Sequence, residues 1–311
     1  ADGRAYAEGS DARSRALSHA RQEALKPRPR KPLSGWCVEC GAVKTDAASV
    51  VPFEPFGYQR GILDAMTDPG VSKVVLKKAA RIGFNAMLHN AIAYYLSHDP
   101  SSVLLVQPSE TMVQEHVERE LKPTLQSIPA VDRLMPRTRK RGQSQDKWNA
   151  MSFLSGALLL SGSAAKQDTF RSRTTRINIG DEIDGEGWQQ AKGSHGDKVW
   201  RLEKRGENDI DSKTILGSTP TIAGQSKIDT EFRATDQRYF YVPCPHCGEE
   251  QTLDFGTKET AHGLKWPEGR PSEAYYVCCH NGCVIEEHDK RWMIDNGRWI
   301  ATAEPDRKSV V

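Results

Sequence analysis

The stretch that constrains this chain most is Lys77-Lys78-Ala79-Ala80-Arg81-Ile82-Gly83-Phe84-Asn85. It follows the apolar run Val74-Val75-Leu76 and leads into Ala86-Met87-Leu88-His89-Asn90-Ala91-Ile92-Ala93-Tyr94-Tyr95-Leu96, whose apolar residues recur with helical period. A strand, a short basic loop with one glycine, and then a helix is the layout of a phosphate cradle. Backbone N–H groups and the positive helix end face the anion, and a lysine adds a point charge. The usual Gly-Lys-Ser/Thr ending is missing, and Lys78 stands at the front of the loop. Basic turns between strands and helices are more often structural than functional, so the loop needs a companion signal.

That signal is Arg176-Ile177-Asn178-Ile179-Gly180, which reads as a strand delivering Asp181-Glu182 at its C-terminal end. In parallel α/β sheets ligands bind at that edge. An Asp there can hold Mg²⁺ directly or through water, and a Glu beside it can orient and deprotonate an attacking water. Asp184 and Glu186 follow at once, so a solvated acidic loop is the bland alternative. The ordered pair of signals points to nucleotide hydrolysis more sharply than either alone.

The 311 residues suffice for one large or two medium domains. The net charge of +2 by itself implies no partner. No apolar run approaches a membrane span, and the polar, charged N-terminus carries no secretory signal. Those features predict a cytoplasmic protein without disulfides, in which seven cysteines ask first for a metal. Basic residues cluster at Arg13, Arg15, Arg21, Lys26, Arg28, Arg30 and Lys31, and again at Arg133, Arg137, Arg139, Lys140 and Arg141. Either cluster could meet nucleic-acid phosphates or be a solvated tail and loop.

Residues 1–10 read as disordered and 11–26 as a helix, which Pro27, Pro29 and Pro32 end as a stiff linker. Residues 1–50 are thus a basic arm and linker. From 51 to 240 the chain alternates strands at 73–77, 103–107, 157–161, 176–180 and 213–217 with helices at 57–67, 85–98 and 109–121. That alternation predicts a parallel sheet flanked by helices. From 241 to 311 the texture turns Cys-rich. Cys244-Pro245-His246-Cys247-Gly248 and Cys278-Cys279-His280-Asn281-Gly282-Cys283 are two turns with spacing for a tetrahedral Zn²⁺. Cys244, Cys247 and Cys283 are the firmer ligands. The fourth lies among Cys278, Cys279 and His280, with Cys278 favoured because it ends the strand-like Tyr275-Tyr276-Val277. Cys37-Val38-Glu39-Cys40 has metal spacing but no second pair nearby, and reads as structural or incidental.

Together these pieces resemble the large terminase subunit of lambda-like tailed phages, the ATP-driven DNA packaging motor, over roughly residues 33–300. Phe56-Gly57-Tyr58-Gln59-Arg60 resembles its adenine-contacting segment, and Lys78 to Phe84 its deviant Walker A loop. Ile177 to Glu182 resembles its Walker B strand, Gly217-Ser218-Thr219-Pro220 its coupling motif, and Cys244 to Gln251 with Gly263-Leu264-Lys265-Trp266 its cysteine-rich segment. The resemblance implies a RecA-like P-loop ATPase core at 51–240 and a small zinc subdomain at 241–311. It implies ATP held by Tyr58, Gln59 and the loop Lys78, Ala79, Ala80, Arg81, Ile82, Gly83, Phe84 and Asn85. Lys78 would neutralise β/γ-phosphate charge, Arg81 sense the γ-phosphate, Asp181 act on Mg²⁺ and Glu182 on the lytic water. Ser218 and Thr219 would report γ-phosphate state. Arg171, or alternatively Arg173, would be an arginine finger given to a neighbour. Implied partners are dsDNA, the small terminase subunit, the portal protein and identical subunits in a ring, in the host cytoplasm. Two departures stand out. Asn85 replaces the Ser or Thr that usually offers a hydroxyl to Mg²⁺, and Val311 ends the sequence where the family's nuclease domain is expected to follow. Rival readings are a helicase-type ATPase and a zinc-ribbon DNA-binding module on a non-hydrolysing ATPase fold.

Overall fold

Short apolar runs of this chain become strands, and most of them are gathered into one sheet. In chain order they are β1 (Ala42–Lys44), β2 (Val50–Pro52), β3 (Lys73–Lys77), β4 (Val103–Gln107), β5 (Ala150–Ser152), β6 (Leu158–Ser163), β7 (Ile177–Asp181) and β8 (Lys213–Ser218). They continue as β9 (Tyr239–Pro243), β10 (Glu250–Gln251), β11 (Gly263–Lys265), β12 (Tyr275–Val277), β13 (Val284–Ile285), β14 (Arg298–Ile300) and β15 (Ser309–Val310). The computed structural model describes residues 30–45, 49–136, 147–171, 174–189, 196–222, 224–257, 259–305 and 309–310. The expected helix at 11–26, most of both basic clusters, and Arg173 lie outside the described residues. The chain divides into two units, Ala1–Lys31 and Pro32–Val311, and every element named here belongs to the second.

The central sheet has the order β15-β3-β8-β7-β4-β6-β5, with every pairing parallel except β5 against β6. The fold is therefore α/β with a parallel-dominated sheet. β4 is buried along its whole length, as a parallel strand covered on both faces must be. The pleat sends Val74, Leu76, Val103, Leu105, Ile177 and Ile179 to one core. It sends Val75, Leu104, Val106 and Leu216 to the other, against Ile183, Trp188 and Phe232. The helices flanking the first core are α1 (Leu33–Cys40), α2 (Gly57–Thr67) and α3 (Phe84–Ser97). α3 is buried without a break from Met87 to Ser97, which fits a helix apolar on nearly all sides.

The limits of the arm and linker need correction. Residues 33–44 are core, not linker: Leu33, Trp36, Cys37 and Ala42 are buried with α2 and α3. Trp36 meets Tyr94 edge-to-face at 5.9 Å, and Asn90 on α3 bonds both backbone groups of Ala42, at 3.0 and 2.8 Å. The physical reason is the spacing of Leu33, Trp36 and Cys37, three and then one residue apart, which makes one apolar helix face directly after Pro32. Cys37 serves that packing. The helix expected at 109–121 also runs on: Glu110–His116 passes through a π-turn at Val117–Leu121 into Lys122–Ser127. Among the described residues no helix is long and apolar enough to cross a membrane.

The Cys-rich segment carries two small antiparallel sheets, β10-β9-β14 and β11-β12-β13. It leans on α2: Trp299 Nε1 donates to Tyr58 O at 2.8 Å, and a Cβ on Gly61 would stand 2.6 Å from the Trp299 ring. The chain then returns to the central sheet, where β15 lies beside β3.

Candidate active site

Because β3, β8 and β7 are neighbours in register, the loops after them meet at one edge of the sheet. Lys78 N donates to Ser218 O at 3.0 Å. Lys78 Nζ reaches Glu182 Oε1 at 2.5 Å. Ser218 Oγ donates to Glu182 Oε2 at 3.4 Å and accepts from Asp184 N at 3.2 Å. Three segments far apart in sequence thus share one polar contact set. The Lys78 ammonium also sits 5.0 Å from the Phe84 ring centroid. An anion entering the loop has to compete with Glu182 for Lys78.

The backbone here is strained. Arg81 and Glu182 are left-handed at φ 63° and 48°, a conformation that costs a non-glycine residue about 1–3 kcal/mol and persists only where its surroundings impose it. Gly83 is left-handed too, and a Cβ there would lie 2.5 Å from Gln59 Nε2. Gln59 is buried and fully used: its Oε1 accepts from Phe56 N at 3.0 Å, and its Nε2 donates to Ile82 O at 2.9 Å. Tyr58 OH donates to the same carbonyl at 3.2 Å. Both residues brace the loop from below. Ala79, Ala80 and Arg81 are exposed on it. Asn85 is exposed as well, and its Nδ2 donates to Glu120 Oε2 at 3.3 Å.

Asp181 is 3% exposed. Its Oδ1 accepts from Glu182 N at 2.9 Å and its Oδ2 from Gln107 Nε2 at 2.8 Å. Burial pushes its carboxyl pKa up, against the pull of the Gln107 hydrogen bond and of Lys78. Asp184 is held below the usual carboxylate range. Burial opposes this, but hydrogen bonds from Ile228 N, Ser226, and Thr221 N and Oγ1 prevail. A cleft of about 830 Å³ opens beside Glu182, with Pro108, Met112, Ser218 and Thr219 on its walls.

Sequence reasoning overlooked Gln107, His116 and His89. Gln107 Nε2 stands 3.2 Å from His116 Nδ1, and His116 Nε2 stands 2.8 Å from His89 Nε2. All three are buried. The available signal was that Gln107 is the one polar residue of the strand Val103-Leu104-Leu105-Val106-Gln107. Burial pushes both histidines below their usual value of 6.5; His116 lowers His89 further, while Asp181 and Glu120 partly oppose the shift of His116. An unfolded chain therefore takes up protons near that value while the folded one resists. Stability is full above it and falls as pH drops through it, by up to about 1.4 kcal/mol per pH unit for each histidine. Thermal unfolding followed between about pH 7 and about pH 5.5 should show this decline, and His89→Leu should flatten it. An unchanged slope in that variant would refute the assignment.

Arg171 is not brought to Lys78 or Glu182 by any described contact. It is exposed, donates to Gln167 Oε1 at 3.0 Å and faces Asp168 at 4.0 Å. It lines a separate depression with Phe170, Trp200, Arg201, Lys204 and Arg205.

In the Cys-rich segment, the Sγ atoms of Cys244, Cys247 and Cys283 lie within 4.8 Å of one another. Cys278 Sγ lies 3.8 Å from Cys247 Sγ. Each turn closes on its own backbone, with Gly248 N donating to Cys244 O and Gly282 N to Cys278 O. Both glycines are left-handed. Cys279 is exposed, and His280 Nε2 is 3.0 Å from Glu250 O.

The model of the phage terminase large subunit gpA ATPase domain matches residues 47–299. This chain belongs to that family. The large terminase subunit of Enterobacteria phage P21 is 34% identical over 252 residues, covering 80% of this chain and 38% of that protein. The large terminase subunit of Escherichia phage lambda is 32% identical over 243 residues, covering 76% and 37%. The chain thus spans well under half the length of these relatives. Among solved structures, the HK97 bacteriophage large terminase is 12% identical at a TM-score of 0.46, over 60% of this chain and 37% of that one. Lys78, Asp181, Glu182, Ser218 and all four clustered cysteines fall inside the terminase-family match.

Proposed function

We propose that this terminase chain is a RecA-like ATPase that couples ATP hydrolysis to the translocation of dsDNA into a procapsid. The observation that carries the reading is the meeting of Lys78, Glu182 and Ser218 at the C-terminal edge of adjacent parallel strands. Lys78 takes β/γ-phosphate charge in place of its Glu182 partner. Glu182, released from Lys78, accepts the proton of the water attacking the γ-phosphorus. Ser218, already on Glu182, links that event to β8 and Thr219. Arg81 lies exposed on the loop, where a γ-phosphate can be sensed, and Arg171 serves a neighbouring subunit. Tyr58 and Gln59 act on the nucleotide by bracing the loop.

Asp181 fits Mg²⁺ as a buried carboxylate beside a lysine, a hard oxygen donor at the phosphate edge. Bound there, Mg²⁺ supplies Lewis-acid neutralisation of the phosphates. Asn85 offers a carbonyl oxygen in place of the loop hydroxyl, a weaker match, and its Nδ2 is turned to Glu120.

Four clustered sulfurs in two glycine-closed turns support a structural Zn²⁺ held by Cys244, Cys247, Cys278 and Cys283 in a small subdomain. The partners are dsDNA, the small subunit, the portal and further copies in a ring, in the host cytoplasm, and nuclease activity belongs to other parts of a full-length large subunit. One observation favours a second reading, a non-hydrolysing fold that carries a zinc-bearing DNA-binding module: Asn85 stands where a loop hydroxyl is expected. Steady-state ATP hydrolysis with and without dsDNA separates the two. The motor reading expects turnover that dsDNA raises several-fold. Absence of turnover in an assembled motor, with nucleotide and DNA both bound, would overturn it.

A further inference from the structure

We infer that Gln107 is the positioning residue of Asp181, and that His116, backed by His89, holds Gln107 in its working orientation. The inference rests on the reading of Asp181 as the Mg²⁺ carboxylate. The Asp181 side chain is pinned at both oxygens, one by its neighbour's backbone and the other by Gln107. The backbone bond alone leaves the carboxylate free to rotate about it; the Gln107 bond fixes its plane.

The Gln107 amide has two hydrogens and two partners. One faces Asp181 Oδ2 at 2.8 Å and the other His116 Nδ1 at 3.2 Å. Reversing the amide would set its oxygen against a carboxylate, so Gln107 donates twice. His116 Nδ1 then accepts, and a neutral His116 carries its proton on Nε2. That proton is donated to His89 Nε2 at 2.8 Å, which places the His89 proton on Nδ1. With His116 neutral, each tautomer follows from the one before it. Gln107, His116 and His89 are 4%, 8% and 5% exposed, so bulk water does not compete for these bonds.

This arrangement has a cost in the fold. Gln107 Oε1 is buried without a partner, a defect of about 1–3 kcal/mol. A leucine at that place would avoid it and suit the rest of β4. The π-turn Val117–Leu121 begins at the residue after His116, and such single-turn insertions recur at functional sites. A polar side chain that weakens the fold while orienting the acid at the phosphate edge is accounted for by Asp181.

The test is the affinity of a fluorescent ATP analogue for the full chain, titrated with Mg²⁺. Losing a hydrogen bond to a charged group corresponds to about ten-fold or more. Gln107→Leu should raise the Mg²⁺ concentration for half-maximal response by at least about ten-fold. Mg²⁺-free affinity should stay at the wild-type value. His116→Leu should shift the Mg²⁺ response in the same direction. His116→Asn, whose oxygen can stand in for Nδ1, should restore it, which a merely structural role would not do. A wild-type Mg²⁺ response in Gln107→Leu, beside a lost response in Asp181→Asn, would overturn the positioning role alone. An intact response in Asp181→Asn would overturn the reading of Asp181 and this inference with it. Equal responses of His116→Leu and His116→Asn would remove the histidines from it.

Discussion

Glu182→Gln should lower ATP turnover by about 10²–10⁴-fold, the usual worth of a positioned general base, and should leave ATP affinity equal or tighter. The second half of that expectation comes from the tertiary structure. Glu182 occupies Lys78 through a 2.5 Å ion pair, which a phosphate must displace. Glutamine keeps the shape and the contact with Ser218 but gives up the charge that competes for the lysine. Lys78→Ala should act oppositely and weaken nucleotide binding itself. Turnover and equilibrium binding measured on both variants decide the matter. Wild-type turnover in Glu182→Gln, in an assembled motor, would sink the assignment of the base. The same variant tests Arg171. If Arg171 serves a neighbour, mixing Arg171→Ala with Glu182→Gln subunits creates some interfaces with both groups intact, and activity partly returns. No recovery at any ratio, with both variants assembled, would place Arg171 in a structural role.

Removal of the proposed zinc should be the other large effect. The segment between β9 and β14 has a small core, with Val242, Cys244, Cys278, Ile285 and Met293 buried. Two of those five are themselves proposed ligands. A structural Zn²⁺ is worth about 10–16 kcal/mol in small apo-unfolded domains, far more than three apolar side chains supply. Protein purified under reducing conditions without chelator should carry one zinc per chain. Chelation should release backbone amides of the two turns and of β10 to β13 to hydrogen exchange. β9 and β14 pair with each other and lean on α2 through Trp299, so they should exchange less. Nucleotide binding at Lys78 should hold, because the loop is braced by Tyr58 and Gln59 from α2. Elemental analysis without zinc would end the proposal. Cys278→Ser should lose the metal, whereas Cys279→Ser and His280→Ala should keep it, since Cys279 is exposed and His280 is turned to Glu250.

The local pattern of this chain determined a good deal by itself. Strands 73–77 and 103–107 and helix 57–67 stand where apolar periodicity put them, because side-chain burial on a two- or 3.6-residue period is a local property. The placement of the loop Lys78–Asn85 and of the pair Asp181-Glu182 was legible for the same reason: each lies at the end of an apolar strand. What lay beyond that reading depends on contacts between distant segments. Residues 33–44 read as linker until Asn90 and Tyr94 showed what they pack against. Tyr58 and Gln59 read as nucleotide contacts, and only the course of the loop past α2 shows that both also bond Ile82 O. The Lys78–Glu182 pair joins residues 104 positions apart. The chain from Asp181 through Gln107 and His116 to His89 joins four elements and carries no motif, because a hydrogen-bonded relay needs only atoms at bonding distance, whatever their order in sequence. Period and punctuation specify each element. Which polar groups meet at the sheet edge follows from strand order, which only the packed structure decides.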